Sequence, residues 1–270
     1  MTAETWTDTV RIPSYHVTPR GTASVLAMAD YVQEAAGRHA AALGVSMQDF
    51  LAEGRAWVLA RFRMEVARPP DWGETVTLET WPSGLERLFA MREFVFRDEA
   101  GRRLAAGTSR WLVIDVERRR PLRPPSVLHD LDVPDRPAPL DADLDDLPAP
   151  ERTDRARTFD VRYHDLDLNR HVNNVRYLEW ALETLPVEVL DERRCAALDL
   201  QFEAEATLGA PVRATAQIED GDDSCRARHR LAHADTDQTL ALAATRWTHG
   251  GCPPPEADPP ALTCIDTRLV

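Results

Sequence analysis

Acidic, amide and imidazole side chains crowd the segment 165–174, which reads D-L-D-L-N-R-H-V-N-N. Within it Asp167, Asn169 and His171, hereafter the polar trio, occupy every second position, and in an extended turn this spacing points their side chains the same way. A histidine or a carboxylate can move a proton, and an amide can donate a hydrogen bond to a developing oxyanion. The polar trio is therefore a candidate for acid–base chemistry.

A calcium-binding loop is the first alternative, because D-L-D-L-N matches the first, third and fifth ligand positions of that motif. The match fails at the sixth position, where Arg170 replaces glycine, and at the twelfth, where Arg176 replaces the bidentate glutamate. A transition-metal site on His164, His171 and Asp167 lacks a further histidine or cysteine at motif spacing. We therefore expect neither a metal ion nor a cofactor.

Helix capping is the structural alternative, because Asp and Asn side chains favour turns and helix N-termini. We interpret Asn173 and Asn174 in this way, as residues that satisfy the first free N–H groups of a following helix. One cap needs one acceptor, so capping does not account for the polar trio as a whole. Asp165 has no clear role in either interpretation.

The elements around the polar trio occur twice in the chain. Each half opens with a short alternating strand, V-R-I-P-S-Y-H or F-D-V-R-Y-H, followed by a polar turn, a helix and about four strand-like runs. The helices are predicted over about 24–43, stopped by Gly44, and over about 174–185, stopped by Pro186. One helix against a curved antiparallel sheet in each half predicts an α+β fold, and the order of elements resembles two tandem hotdog domains, whose fusion would supply the sheet pairing that single hotdogs obtain by dimerising.

The two copies differ in their polar residues. The turn before the first helix carries Thr18, Arg20 and Thr22 where the second half carries the polar trio. A repeat that keeps its hydrophobic pattern but holds acid, amide and imidazole in one copy predicts one chemical site per chain.

A segment rich in proline and aspartate separates the halves, and this composition predicts an extended, solvated linker. We therefore place a first hotdog without the catalytic set at 1–120, the linker at 121–156, a second, catalytic hotdog at 157–250 and an irregular tail at 251–270.

Composition excludes several classes of protein. The formal charge of -13 disfavours a nucleic-acid partner, which would need basic residues to neutralise phosphates. No apolar run is long enough to span a membrane, and the four scattered cysteines suggest no disulfide framework, so we expect a soluble, cytoplasmic protein. All 32 basic residues are arginine, which a GC-rich genome or adaptation to high salt would explain.

The string D-L-D-L-N-R-H-V-N-N-V-R-Y-L-E-W-A-L-E-T-L-P resembles the signature of acyl-acyl carrier protein (acyl-ACP) thioesterases, and S-Y-H-V-T-P-R-G-T-A-S-V-L-A-M-A-D-Y resembles the opening of their first hotdog. The likeness runs over about 5–250. It implies that the polar trio is the family's catalytic Asp-x-Asn-x-His. It also aligns L-Q-F-E-A-E-A-T with the segment that ends in the catalytic glutamate and a cysteine, here Glu205 and Ala206, with Glu203 as a register alternative on the same sheet face.

The resemblance implies hydrolysis of fatty acyl-ACP to free fatty acid and holo-ACP. Since Ala206 offers no nucleophile, we expect Glu205 to act as general base on a water. Asn169 would stabilise the oxyanion, Asp167 would accept a hydrogen bond from the side chain of Asn169 or His171, and His171 would position the water or protonate the thiolate. An acyl-CoA thioesterase and a non-catalytic acyl-binding protein remain alternatives.

The expected partner is acyl carrier protein bearing a 4′-phosphopantetheine acyl thioester, bound by a monomeric pseudo-dimer or a homodimer. Carrier proteins are acidic, so docking would use local basic clusters, with Arg118, Arg119, Arg120, Arg123, Arg193 and Arg194 as candidates. The acyl chain would need an apolar tunnel in the first hotdog, with Met28, Val32, Trp57, Phe62 and Met64 as candidate lining residues.

Overall fold

The computed structural model describes residues 5–131, 133–141, 144–221 and 223–249, so the predicted tail at 251–270 lies outside the described residues. The helices are α1 (Val25–Ala42), α2 (Met47–Ala52), α3 (Ser126–His129), α4 (Asn174–Leu182) and α5 (Val187–Glu192). The strands are β1 (Trp6–Arg11), β2 (Arg55–Val66), β3 (Thr75–Glu86), β4 (Phe89–Arg97), β5 (Arg103–Asp115), β6 (Arg120–Pro121), β7 (Arg155–Asp160), β8 (Arg193–Phe202), β9 (Pro211–Asp220), β10 (Ser224–His233) and β11 (Thr239–His249).

In the described part of the chain, eleven strands form one sheet in the order β1-β3-β4-β5-β2-β8-β11-β10-β9-β7, with β6 paired to β5. All of these pairings are antiparallel. Five strands of each half follow the same order outward from the centre, and α1 and α4 each pack against their own half. The predicted α+β fold with two tandem hotdogs is confirmed.

Strands β2 and β8 join the halves, and their register defines a pseudo-two-fold axis. Arg63 lies opposite Asp199, Phe62 opposite Leu200 and Met64 opposite Leu198. Positions 62, 63 and 64 are equivalent to 198, 199 and 200, because β2 pairs with β5 in the register in which β8 pairs with β11, at an offset of 136 residues (199 − 63 = 136). Arg63 therefore faces its own counterpart, as it would across the two-fold axis of a dimer of single hotdogs.

The two central helices begin where the sequence predicts. The hydroxyl of Ser24 accepts a hydrogen bond from Ala27 N at 3.1 Å, and Asn173 Oδ1 accepts one from Val175 N at 2.9 Å. Helix α4 ends three residues earlier than predicted, because the Thr184 hydroxyl donates to the carbonyl of Ala181 and the chain turns before Pro186.

The linker differs from the predicted solvated segment. Arg61 alternates with the core residue Phe62 and so lies on the sheet face away from the helices, where its Nη1 donates to the Asp145 carbonyl at 2.5 Å. Arg110 donates to the carbonyl of Leu144, whose own side chain is buried. Backbone acceptors in the linker thus bind guanidinium groups of the sheet. Linker N–H groups also donate to Gln201 and Gln217 of the second half, so the linker packs on the outer face of the sheet in both halves.

Within the described residues, no helix has both the length and the apolar character that a membrane crossing requires.

His229 is fully buried in the second half, within a chain of hydrogen-bonding groups. Its Nδ1 lies 3.1 Å from the Thr184 hydroxyl, which donates to the Ala181 carbonyl, and its Nε2 lies 3.2 Å from the Thr245 hydroxyl, which accepts from Trp247 Nε1. A neutral imidazole with its proton on Nδ1 satisfies every donor in this chain. Burial accordingly lowers the pKa of His229 to about 4.

We expect this buried imidazole to make the folded protein less stable as the pH decreases. The unfolded chain binds a proton at His229 near pH 6.5, whereas the folded chain resists it down to about pH 4, so stability is lost as pH falls through this window. At pH 5 this effect should lower the free energy of unfolding by about 2 kcal/mol relative to pH 7.5. Urea unfolding of the wild type and His229→Asn at pH 7.5 and 5 would measure it, with His129→Gln, an exposed histidine, as the control. Equal pH dependence in all three proteins would contradict the prediction.

Candidate active site

The polar trio lies in a tight turn between β7 and α4. Asp167 N donates to the His171 carbonyl at 2.8 Å, and Arg170 N donates to the Asp167 carbonyl at 3.0 Å. The Asp167 carboxylate accepts from the backbone N–H groups of Asn169 (2.8 Å) and His171 (3.2 Å). Asp167 therefore orients its two partners through their backbone, and not through a bond to either side chain as the sequence predicted.

The corresponding turn of the first half has the same backbone hydrogen bonds. Thr18 N donates to the Thr22 carbonyl at 2.8 Å, and Gly21 N donates to the Thr18 carbonyl at 2.9 Å. In each turn one residue has a left-handed backbone conformation, which is Gly21 (φ 76°) in the first half and Arg170 (φ 62°) in the second. Since the turn forms without acid, amide or imidazole, the fold does not require the polar trio.

Glu205 meets the polar trio from the segment that follows β8. Val172 N donates to the Ala206 carbonyl at 3.2 Å, which joins this segment to the turn. The Glu205 Oε2 atom then lies 3.4 Å from His171 Nε2, whereas Glu203 contacts Gln201. The structure thus brings Glu205, and not the register alternative Glu203, to the imidazole.

The first half has Pro69 at the position equivalent to Glu205 (205 − 69 = 136). The equivalence is supported by the matching bond from Ala23 N to the Pro70 carbonyl, which corresponds to the one from Val172 N to Ala206 (206 − 70 = 136). A proline has no group that could move a proton. Among the described residues, the second half alone pairs a histidine of this turn with an acid.

Tyr177 on α4 belongs to the same site, although it was not among the residues predicted from the sequence. Its buried hydroxyl accepts a hydrogen bond from Ala206 N at 2.8 Å, next to Glu205. Burial, with the nearby charges of Glu205 and Asp167, raises the pKa of Tyr177 to about 12, so the phenol stays protonated. The sequence does show a tyrosine one turn after the predicted helix start. Its position on the apolar face of that helix favoured a role in the core.

We expect Tyr177→Phe to lower both stability and activity. Removing the hydroxyl leaves the Ala206 N–H buried without its acceptor, at a cost of about 1–3 kcal/mol. Displacement of the adjacent Glu205 by a fraction of an ångström should lower kcat about tenfold. Urea unfolding and steady-state kinetics would measure the two effects, with Tyr163→Phe, an exposed tyrosine, as control. Lower stability with unchanged kcat would limit Tyr177 to a structural role.

Asp165, which had no predicted role, stabilises the start of the turn. Its buried carboxylate accepts from Arg162 N, Nε and Nη2 at 2.7, 3.1 and 2.9 Å. Burial alone would raise the pKa of Asp165, but the hydrogen bonds and charge of Arg162 outweigh it and lower the pKa. Its backbone carbonyl also accepts from Asn173 N at 2.9 Å. Asp165 therefore supports the turn without facing Glu205.

The candidate acyl-lining residues fall into two groups. Met28, Val32, Phe62 and Met64 are buried in the main core, which both halves share, whereas Trp57 lies in a separate cluster, where it stacks on Phe50. Between α1 and α4 a cavity of about 20 Å³ remains, and Phe62 alone of the five candidates lines it. The other lining residues are Ala29, Gln33, Leu59, Asn174, Val175, Leu178, Leu200 and Phe202.

The candidate docking arginines also lie in two different places. Arg119 lies on the turn between β5 and β6, and its Nη2 approaches Glu205 Oε2 to 4.0 Å. Arg193 and Arg194 lie at the opposite end of β8, where they contact Asp220 and the Val66 carbonyl. At about 3.3 Å per residue, the ten residues of β8 place Arg193 roughly 30 Å from Phe202, the end of the strand that leads to Glu205. Their side chains therefore do not contribute to this site.

The fold and the site together define a double-hotdog protein with one site, in which an acid–amide–imidazole turn of the second half faces one glutamate. The N-terminal domain model of the acyl-ACP thioesterases matches residues 3–130, and their C-terminal domain model matches residues 149–249. This chain therefore belongs to the acyl-ACP thioesterase family.

Similar proteins include plant and bacterial enzymes. An acyl-[acyl-carrier-protein] hydrolase of Cuphea viscosissima is 26% identical over 262 residues, which cover 87% of this chain and 60% of that protein. The solved 12:0-ACP thioesterase of Umbellularia californica is 26% identical, with a TM-score of 0.81 over 91% of this chain and 94% of that one. An acyl-ACP thioesterase of Bacteroides thetaiotaomicron, at 23% identity and a TM-score of 0.76, covers 90% of this chain and 97% of its own and shares the fold. The chain thus spans about 60% of the length of the Cuphea relative.

Proposed function

We propose that this protein hydrolyses the thioester of fatty acyl-ACP, releasing a free fatty acid and holo-ACP. The observation that carries the proposal is the 3.4 Å contact between His171 Nε2 and Glu205 Oε2 beside the Asp-x-Asn-x-His turn. Family membership and the named activities of the relatives support the same reaction. The reaction would end chain elongation in fatty acid biosynthesis in the cytoplasm.

Glu205 is proposed as the general base. It takes a proton from a water, and the water oxygen attacks the carbonyl carbon of the thioester. The Asn169 side-chain amide donates to the carbonyl oxygen, on which negative charge develops. The carbon–sulfur bond then breaks, and His171 passes to the departing thiolate the proton that Glu205 took from the water, which returns both side chains to their starting forms. Asp167 takes part indirectly, because its carboxylate holds the backbone of Asn169 and His171.

A covalent cysteine route is disfavoured at this site. Ala206 stands beside Glu205, and the thiols of Cys195 and Cys225 are buried in the sheet of the second half. Burial raises the pKa of Cys195 to about 12, so this thiol is not ionised near neutral pH. Direct attack by water remains the proposed chemistry, with no cofactor.

The acyl chain is proposed to enter between α1 and α4. The cavity there is apolar apart from Gln33 and Asn174, which hydrogen-bond to each other at 2.9 Å. At about 20 Å³ it holds no more than one water, so an acyl chain must displace the side chains around it. Of the predicted lining residues, Phe62 is the one that borders this cavity and would have to move.

The acyl carrier is proposed to dock on the turn between β5 and β6. Arg118, Arg119 and Arg120 expose their side chains there, and Arg123 follows shortly after, so an acidic partner would place its thioester near Glu205. Exposed arginines on this turn would chiefly speed association at low ionic strength.

Hydrolysis of defined substrates tests the proposal. Purified protein would be assayed for fatty acid release from C8 to C18 acyl-ACP and from the matching acyl-CoA esters. We expect turnover with the carrier-bound series. Faster turnover of the CoA esters would favour an acyl-CoA thioesterase, and tight acyl binding without release would favour a non-catalytic protein.

A further inference from the structure

The turn between β5 and β6 brings a charged residue of the first half into the site of the second. Arg119 Nη2 lies 4.0 Å from Glu205 Oε2, the same oxygen that His171 Nε2 approaches to 3.4 Å. No hydrogen bond from the described residues reaches Oε1 of Glu205. Two groups from opposite halves therefore approach one carboxylate oxygen and leave the other for a water.

The backbone of this turn holds Arg119 in place. Asp115 Oδ1 accepts from Arg118 N at 2.8 Å, and Val116 N donates to the Gly54 carbonyl at 3.0 Å. Asp115 and Arg120 close the turn by pairing β5 with β6. Arg119 itself adopts φ 51°, a left-handed conformation that is uncommon for a residue other than glycine.

We propose that Arg119 is a positioning residue of the active site, which holds Glu205 Oε2 against His171 so that Oε1 is free to take the proton of the attacking water. This inference rests on the proposed function. With its side chain 73% exposed, Arg119 interacts only weakly with Glu205 in the free protein. A bound acyl thioester would exclude water from the contact and strengthen it when the reaction occurs.

Kinetics with two kinds of substrate separate this role from carrier docking. Arg119→Gln should lower kcat about tenfold both with acyl-ACP and with a carrier-free acyl-N-acetylcysteamine thioester, while KM for the carrier-free substrate changes less than about twofold. Arg119→Lys keeps the positive charge and should recover most of the lost kcat. Arg87→Gln is the matched control, because Arg87 is also exposed and left-handed (φ 55°) but lies on the turn between β3 and β4.

A spectroscopic test judges the contact without any turnover. In ¹⁵N NMR spectra of the whole protein with a non-hydrolysable acyl-amide analogue of the substrate bound, the guanidinium signals of Arg119 should move in Glu205→Gln and stay in Glu203→Gln. An unmoved Arg119 signal in Glu205→Gln would overturn the inference. So would a loss in Arg119→Gln that is confined to KM for acyl-ACP, because that result assigns Arg119 to docking alone. If the wild type hydrolyses neither substrate, the proposed function fails, and the NMR result still decides the contact.

Discussion

Glu205→Gln should lose at least 100- to 1000-fold in kcat while the protein remains folded. Glutamine has nearly the same size and shape as glutamate and can still hydrogen-bond. It lacks the carboxylate that, in our proposal, takes the proton of the water. Glu205 is the one described acid within 3.4 Å of the His171 imidazole, and Pro69 at the equivalent position of the first half offers no substitute. The loss should therefore appear in the chemical step.

Single-turnover hydrolysis of acyl-ACP would measure this loss without interference from product release. Glu203→Gln is the matched control, because it makes the same chemical change two residues earlier, where the carboxylate contacts Gln201. Circular dichroism would establish that both variants fold. Full activity in Glu205→Gln, or an equal loss in Glu203→Gln, would refute the assignment of the base.

Asn169→Ala should lower kcat by about 100- to 1000-fold with little change in KM, as expected for the loss of one oxyanion donor. The backbone N–H of Asn169 is held by Asp167 Oδ1 at 2.8 Å. Its side-chain amide makes no hydrogen bond with the described residues, so it is available to a substrate oxygen. A donor that acts on the developing charge stabilises the transition state more than the bound substrate.

Steady-state kinetics on acyl-ACP would measure this effect, with Asn169→Asp as the companion variant. Aspartate keeps the shape of asparagine but replaces the donor by a negative charge, so its loss in kcat should equal or exceed that of alanine. An increase in KM at constant kcat would show that Asn169 contributes to substrate binding instead. Activity of Asn169→Asp at the wild-type level would contradict an oxyanion role.

Elements set by neighbouring residues could be predicted from the sequence. The hydrophobic periods predicted α1 and α4, and the Ser24 and Asn173 caps lie where helix starts were expected, because capping joins residues two or three positions apart. The repeat was also visible, since both halves bury the same face with the same spacing of apolar residues. The polar trio could be recognised from the sequence for a similar reason, because its members lie two residues apart in one turn.

Contacts between distant residues needed the tertiary structure. Glu205 was selected from the resemblance to the acyl-ACP thioesterases. Its approach to His171 spans 34 residues (205 − 171) and depends on how the segment after β8 meets the turn before α4. Tyr177 and Arg119 were not recognised as members of the site, because an aromatic at helical spacing and an exposed arginine in a turn are common in any fold. The structure was also needed to show that Trp57, a predicted lining residue, stacks on Phe50 in a separate cluster.

The sequence by itself determined the two hotdog repeats, the helix starts and the asymmetry of the polar residues between the halves, because periodicity and capping act over a few residues. Only the tertiary structure decided which groups surround Glu205, where the linker packs and which apolar residues border the cavity between α1 and α4. These arrangements join residues far apart in the chain. The approach of Arg119 to Glu205 also joins the two halves, whose sheets meet where β2 pairs with β8.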